Sequence, residues 1–183
     1  MNFARRKALL KLACSGMCLA LCLLLPFLTA NSRELGNILC LMHIPVFLCG
    51  LICGCWHGMI VGATAPLIRS FLFGMPPFPT VAVPMVFELA VYGLLTGLLY
   101  RFMPKKWMWI YPNLVFSMIA GRIVSILTKY WMYALGETEF SLATVMQLNF
   151  VTTLPGVALQ LVLIPALIYA LTKQGIIHRG RDY

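Results

Sequence analysis

From Cys40 to Pro79 the chain runs for forty residues with Arg69 as its only charged side chain. Hydrocarbon offers a backbone no hydrogen-bond partner, so such a run enters a membrane as helix, which satisfies its own N–H and C=O groups. One crossing takes about 20 residues at ~1.5 Å each. The run is therefore long enough for two crossings, and the expected turn between them lies near Cys55–Gly58. His43 and Arg69 then fall near the same membrane face, beside the proline-rich run Pro76, Pro77, Phe78, Pro79.

The pattern continues along all 183 residues, with apolar segments at about 8–30, 37–55, 57–74, 81–101, 107–135 and 146–172. Hydrophobic residues make up 61% of the chain and charged residues 10%, with a mean hydropathy of +0.90. A soluble domain of this size has too little polar surface to cover such a chain. The expected fold class is an all-α membrane protein: a six-transmembrane-helix bundle forming a single integral membrane domain over residues 1–183. No linker-like polar stretch leaves room for a soluble enzymatic domain. The first segment has a longer apolar run than a signal-peptide core and five more segments follow it, so it reads as a helix. The seven cysteines lie in or at the edges of spans and fit small buried apolar residues better than a disulfide framework. No Cys/His spacing argues for a metal, and no cofactor is expected.

Charge sets the orientation. Arg5, Arg6, Lys7 and Lys11 open the first segment, Arg101, Lys105 and Lys106 follow the fourth, and Lys173, Arg179 and Arg181 follow the sixth. The opposite loops hold Arg33 with Glu34, then Glu137 and Glu139. Lysine and arginine favour one side, the positive-inside pattern, so both termini are expected in the cytoplasm. The net charge of +9 flanks spans rather than forming a soluble basic face, so nucleic acid is not an expected partner.

Ionisable residues inside spans are costly and mark a site or a pairing. This topology puts His43, Arg69, Glu88, Arg122, Lys129, Asn149 and Gln160 in the outer half of the bundle and leaves the inner half poor in polar groups. Arg122, Ser125 and Lys129 share one helical face, and Asn149, Thr153, Gly156 and Gln160 share another. Glu88 and Tyr92 are one turn apart. Three cations (Arg69, Arg122, Lys129) against Glu88 give a net charge of +2, which suits an anionic ligand such as a carboxylate. Bland alternatives stand beside these: Glu88 neutralising Arg69 or Arg122, Lys129 reaching the outer headgroups, His43 packing before Pro45. Met75, Pro76, Pro77 and Phe78 form either a lid over the cavity or a rigid turn. In the first segment Ala13, Gly16 and Ala20 give a stripe of small residues, for internal packing or for docking a partner helix.

No Walker A, GxSxG or HExxH pattern appears, so neither an intrinsic ATP engine nor a catalytic residue is indicated. An intramembrane enzyme using His43 and Glu88 lacks a nucleophile motif. Six segments without a two-fold repeat argue against a self-sufficient secondary transporter.

Several strings resemble the substrate-binding S components of energy-coupling factor (ECF) transporters: HIPVFLCGLICG (His43–Gly54), GATAPLIRSFLFGMPPFPT (Gly62–Thr80), MVFELAVYGLLTGLLYR (Met85–Arg101), MIAGRI (Met118–Ile123) and TLPGVALQLVLIP (Thr153–Pro165). They look most like the pantothenate-type branch. The resemblance implies a six-helix bundle in a prokaryotic cell membrane that binds a vitamin near its outer face and topples to deliver it. It also implies a partner, the ECF module of two ATP-binding subunits and one transmembrane coupling subunit. Small residues of the first helix, in an AxxxA pattern, meet the coupling subunit in that family; Gly16 and Ala20 match it with glycine at one position, and Ala4 and Ala8 match it literally. The loop between helices three and four gates the site in the family, which falls here on Gly74–Thr80. The expected function is therefore substrate capture without catalysis. Arg69, Arg122 or Lys129 would hold a carboxylate, Glu88, Asn149 and Gln160 would take polar groups, and Tyr92 and His43 would line the pocket. The alternatives are an S component for another vitamin (cobalamin, folate or riboflavin) and a cell-envelope scaffold that binds no small molecule.

Overall fold

The computed structural model describes residues 3–29, 38–104, 107–136, 147 and 151–174. The described residues form six α-helices and no strand. These are α1 (Phe3–Leu24), α2 (His43–Cys53), α3 (Cys55–Phe73), α4 (Ala82–Phe102), α5 (Ile110–Ala134) and α6 (Leu154–Lys173). A 3-10 turn, Leu25–Thr29, continues α1, and another, Trp107–Trp109, leads into α5.

Four stretches among the described residues are long and apolar enough to cross a membrane: Arg5–Phe27, Ala82–Phe102, Trp107–Ala134 and Leu154–Lys173. The second expected segment, 37–55, contributes a helix of only 11 residues. At ~1.5 Å per residue it reaches about 16 Å, roughly half of a hydrocarbon core. Its environment explains this length. Every residue of α2 except Ile52 is buried, so it has no lipid face and acts as packing for the bundle interior. The break between α2 and α3 falls at Gly54, ahead of the expected Cys55–Gly58 turn, which instead opens α3. Gly54 has φ +97°, a backbone state that L side chains rarely adopt, so glycine sets the position of the reversal.

Glycines also let α2, α3 and α4 approach closely, as small residues do between membrane helices. A Cβ on Gly50 or Gly58 would come within 2.7 Å of the Gly93 carbonyl oxygen. A Cβ on Gly62 would meet the Leu89 carbonyl, and one on Gly97 the Cys55 backbone. With α5 packed on its other side, α4 becomes the central helix. Pro45 and Pro155 sit in first turns, where the missing N–H costs nothing, whereas Pro66 and Pro165 lie inside α3 and α6.

Helix α1 is the most peripheral of the four long stretches. Its inward face carries thiols: Cys14 meets Cys53, Cys18 meets Cys49, and the Cys49 thiol lies 3.8 Å from the Ser15 hydroxyl. All seven cysteines are free thiols, and Cys18, Cys22, Cys40, Cys49 and Cys53 are buried.

Candidate functional site

The packing of α4 between α2 and α5 brings polar side chains from three helices together. Glu88 and Tyr92 occupy successive turns of one α4 face, and the Tyr92 hydroxyl donates to Glu88 Oε1 at 2.7 Å. Arg122 Nε of α5 reaches the same oxygen at 3.5 Å, and His43 Nε2 at the start of α2 faces it at 3.9 Å. All four residues are buried. A carboxylate in such a place requires a cation or several donors, because burying an unpaired charge costs several kcal/mol. Arg122 is that cation, and Lys129, two turns further along α5, lies within electrostatic range of both.

The node rests on an aromatic support. The Tyr92 ring stacks on Phe47 with centroids 4.9 Å apart and lies 5.5 Å from the His43 ring. Its other side abuts Gly121, where a Cβ would collide with the ring. Sequence reasoning misses Phe47 and Gly121 as supports, since nothing in a one-dimensional pattern says which ring faces which helix. Among the described residues, Ser125 Oγ is buried here without a hydrogen-bond partner, and the His43 imidazole lies beside the Cys40 carbonyl.

Other candidate residues are placed elsewhere. Arg69 Nη1 donates to the Leu23 carbonyl at 2.8 Å, at the end of α1. Its guanidinium sits 5.3 Å from the Phe27 ring centroid and 5.7 Å from that of Phe73. The last carbonyls of a helix lack partners in their own ladder, so an arginine from α3 satisfies one of them. Gln160 of α6 is buried and donates to the Cys40 carbonyl at 3.2 Å, beside Gly156, whose missing side chain leaves room for the Ile38–Leu39 backbone. Asn149 lies outside the described residues. In the loop, the Ser70 hydroxyl donates to the Pro76 carbonyl at 2.7 Å, Phe78 packs on Phe71 with centroids 5.8 Å apart, and Phe78 is exposed. Ala13, Gly16 and Ala20 all lie on the exposed side of α1, and a Cβ on Gly16 would meet nothing within 4 Å.

A profile of the family "ECF transporter, substrate-specific component" matches residues 10–171, which takes in all six helices except the ends of α1 and α6. The chain belongs to the ECF S-component family. No curated protein and no solved structure matches it. Family membership makes it a multi-pass membrane transport protein, with an ECF module as the implied partner and a prokaryotic plasma membrane as the implied location.

Within this S component a second set of buried polar groups lies toward the end of α4 and the start of α5. Asn113 Nδ2 donates to the Thr96 carbonyl at 3.1 Å, Ser117 donates to Asn113 Oδ1 at 3.3 Å, and the Thr96 hydroxyl donates to the Tyr92 carbonyl at 2.5 Å. All three side chains are fully buried and satisfied, so this ladder joins α4 to α5 and holds the helices that carry Glu88 and Arg122. Its signal in the sequence is Asn113 and Ser117, four residues apart on one helical face.

Proposed function

We propose that this S component captures a small anionic vitamin, with pantothenate the best candidate, and delivers it through the ATP-driven ECF module. The observation that carries the reading is the buried cluster of Glu88, Tyr92, Arg122 and His43, an ion pair with two polar rings inside an apolar bundle. In a membrane such groups are costly and mark substrate positions. Arg122 and Lys129 are the carboxylate partners on this reading, with Glu88, His43 and Tyr92 lining the site; Asn149 and Gln160 complete it from the α6 side. The site opens outward within the helix bundle, both termini are cytoplasmic, and Met75, Pro76, Pro77 and Phe78 gate it. The loop's tethers to the end of α3, through Ser70 and Phe78, suit a lid hinged at that helix.

Calorimetry of the detergent-purified protein against pantothenate, riboflavin, folate and cobalamin tests this. Tight one-to-one binding of pantothenate is expected. Binding of another vitamin keeps the class and discards pantothenate, whereas a folded protein that binds none of them points to a scaffold.

Arg69 has a different role on this reading: it holds the end of α1 against α3. Arg69→Ala is expected to cost about 1–3 kcal/mol of stability, the value of a buried hydrogen bond to a charged group and of the carbonyl it leaves bare. Vitamin affinity should stay unchanged. Thermal melting in detergent together with calorimetry checks both, and an affinity loss matching that of Arg122 variants would put Arg69 in the site.

The exposed small-residue stripe of α1 is the docking face for the coupling subunit on the same reading. Gly16→Leu with Ala20→Leu fills the notch that close helix approach needs. Co-purification with the ECF module is expected to fail while vitamin binding persists. Retained co-purification would move the docking face elsewhere on the protein.

A further inference from the structure

Thiols line the seam between α1 and α2, away from the Glu88–Arg122 cluster. Cys14 lies within hydrogen-bonding reach of Cys53, and Cys18 of Cys49. Cys14 and Cys18 are one turn apart on α1, as are Cys49 and Cys53 on α2, so the pairs form successive rungs between antiparallel helices. Cys49 also reaches Cys53 within α2, which joins the rungs into one continuous chain of sulfur atoms. Ser15 lies between them: its hydroxyl accepts from the Cys49 thiol at 3.8 Å and donates to the Lys11 carbonyl at 2.7 Å. Further along the seam the Cys22 thiol donates to the Met42 carbonyl at 3.5 Å. Cysteines that serve only as small apolar packing need no thiol opposite them. Pairing in register across two helices is the feature that packing leaves unexplained.

The rungs differ in access. Cys18, Cys49 and Cys53 are buried, whereas Cys14 is half-buried. Cys53 is the last residue of α2, next to the Gly54 reversal, and Lys11 comes within electrostatic range of its thiol. The Cys14–Cys53 rung therefore sits toward the charged end of α1, within reach of a small water-borne oxidant, and the Cys18–Cys49 rung lies one turn deeper. His43 stands at the opposite end of α2, about 15 Å away along the helix.

We propose that the Cys14–Cys53 rung is an oxidation site at which hydrogen peroxide closes a disulfide between α1 and α2. The Cys14 sulfur attacks one peroxide oxygen, the O–O bond breaks, and the products are a Cys14 sulfenic acid and one water. The Cys53 sulfur then displaces the sulfenic oxygen, which leaves as a second water carrying the Cys53 proton, and the S–S bond forms. The thiol pair loses two electrons and two protons in all, and the peroxide is reduced to water. A small-molecule thiol reverses the step by exchange. The bond fixes the end of α1 that Arg69 does not hold, since Arg69 grips the Leu23 carbonyl near the other end. It stands independently of which vitamin the protein takes, because the seam and the Glu88 cluster share no residue.

The test uses the full chain, purified in detergent under a thiol reductant, freed of it and exposed to hydrogen peroxide in slight excess. Intact mass spectrometry is expected to show the loss of two hydrogen atoms, and peptide mapping a bond between Cys14 and Cys53 that dithiothreitol removes. A cross-link restricts the unfolded chain, so the oxidised protein should melt at a higher temperature than the reduced one. Cys14→Ser replaces a half-buried thiol with a hydroxyl of similar size. Its reduced form should melt like the wild type, and peroxide should give it neither the bond nor the upward shift. Cys55→Ser, which removes a half-buried thiol from α3, should keep both. Oxygen added to the thiols with no bond formed, a bond found only between two molecules, or an equal melting shift in Cys14→Ser overturns the proposal.

Discussion

Neutralising the buried ion pair through Arg122→Gln with Glu88→Gln is expected to weaken vitamin binding by at least about 30-fold, whereas Glu88→Gln alone leaves anion binding intact or strengthens it. Arg122 alone is a poor probe. Its removal leaves the Glu88 carboxylate buried without its cation, which costs about 3–5 kcal/mol and confuses folding with binding. The double variant removes both charges, and the glutamine at 88 still offers an oxygen to the Tyr92 hydroxyl. Taking one buried charged partner out of a binding site costs about 2–5 kcal/mol, which sets the lower limit of about 30-fold. Glu88→Gln alone removes the carboxylate that faces Arg122 and so raises the positive charge facing the ligand. Calorimetry on the two variants, with circular dichroism to establish helix content, separates the roles. Equal losses in both would make Glu88, not Arg122, the group that holds the ligand.

Gly93→Ala is expected to be among the most damaging single substitutions in the chain. Its new methyl would occupy the position of the Gly58 backbone, and that obstacle is main chain rather than the end of a flexible side chain. Relief requires α3 and α4 to separate, and α2 with them, because Gly50 and Gly58 close on the same Gly93 carbonyl. Overpacking of this kind costs about 1–3 kcal/mol and more where backbone must move. Gly62→Ala and Gly97→Ala should act in the same direction. Gly16→Ala is the control, since its methyl meets open space. Melting of the purified variants in detergent measures the contrast; a Gly93→Ala protein as stable as Gly16→Ala would mean that the three helices do not pack through glycine. Gly121→Ala has a separate consequence. It presses on the Tyr92 ring, so it should reduce vitamin binding more than its stability cost alone predicts.

Much of the architecture is legible without coordinates. A run such as Ala82–Phe102 has to be helix in a membrane, and the small residues of α1 at i, i+3 and i+7 have to share a face. Period alone puts the polar residues of α4 and α5 on the right faces, since Glu88 with Tyr92, and Arg122 with Ser125, follow helical spacing. The second segment shows where this reasoning stops. Hydropathy makes 37–55 a crossing, yet α2 covers 11 residues, because a helix buried on every side and a helix bathed in lipid are equally apolar. Arg69 shows the same limit. Its depth is readable, but its partner is not, and it turns to the Leu23 carbonyl and two phenylalanine rings instead of joining Glu88.

The sequence by itself determined the helical class, the membrane environment, the family and the inventory of costly polar groups, because each follows from composition, from the 3.6-residue period or from local motif. Only the tertiary structure decided which cation meets Glu88, that Gln160 is engaged by the Cys40 carbonyl, and that the Tyr92 ring stacks on Phe47. The physical reason is that pairing between helices depends on their separation and rotation. Here those are set by where glycines let backbones touch, a property of two chain segments together that neither segment carries alone.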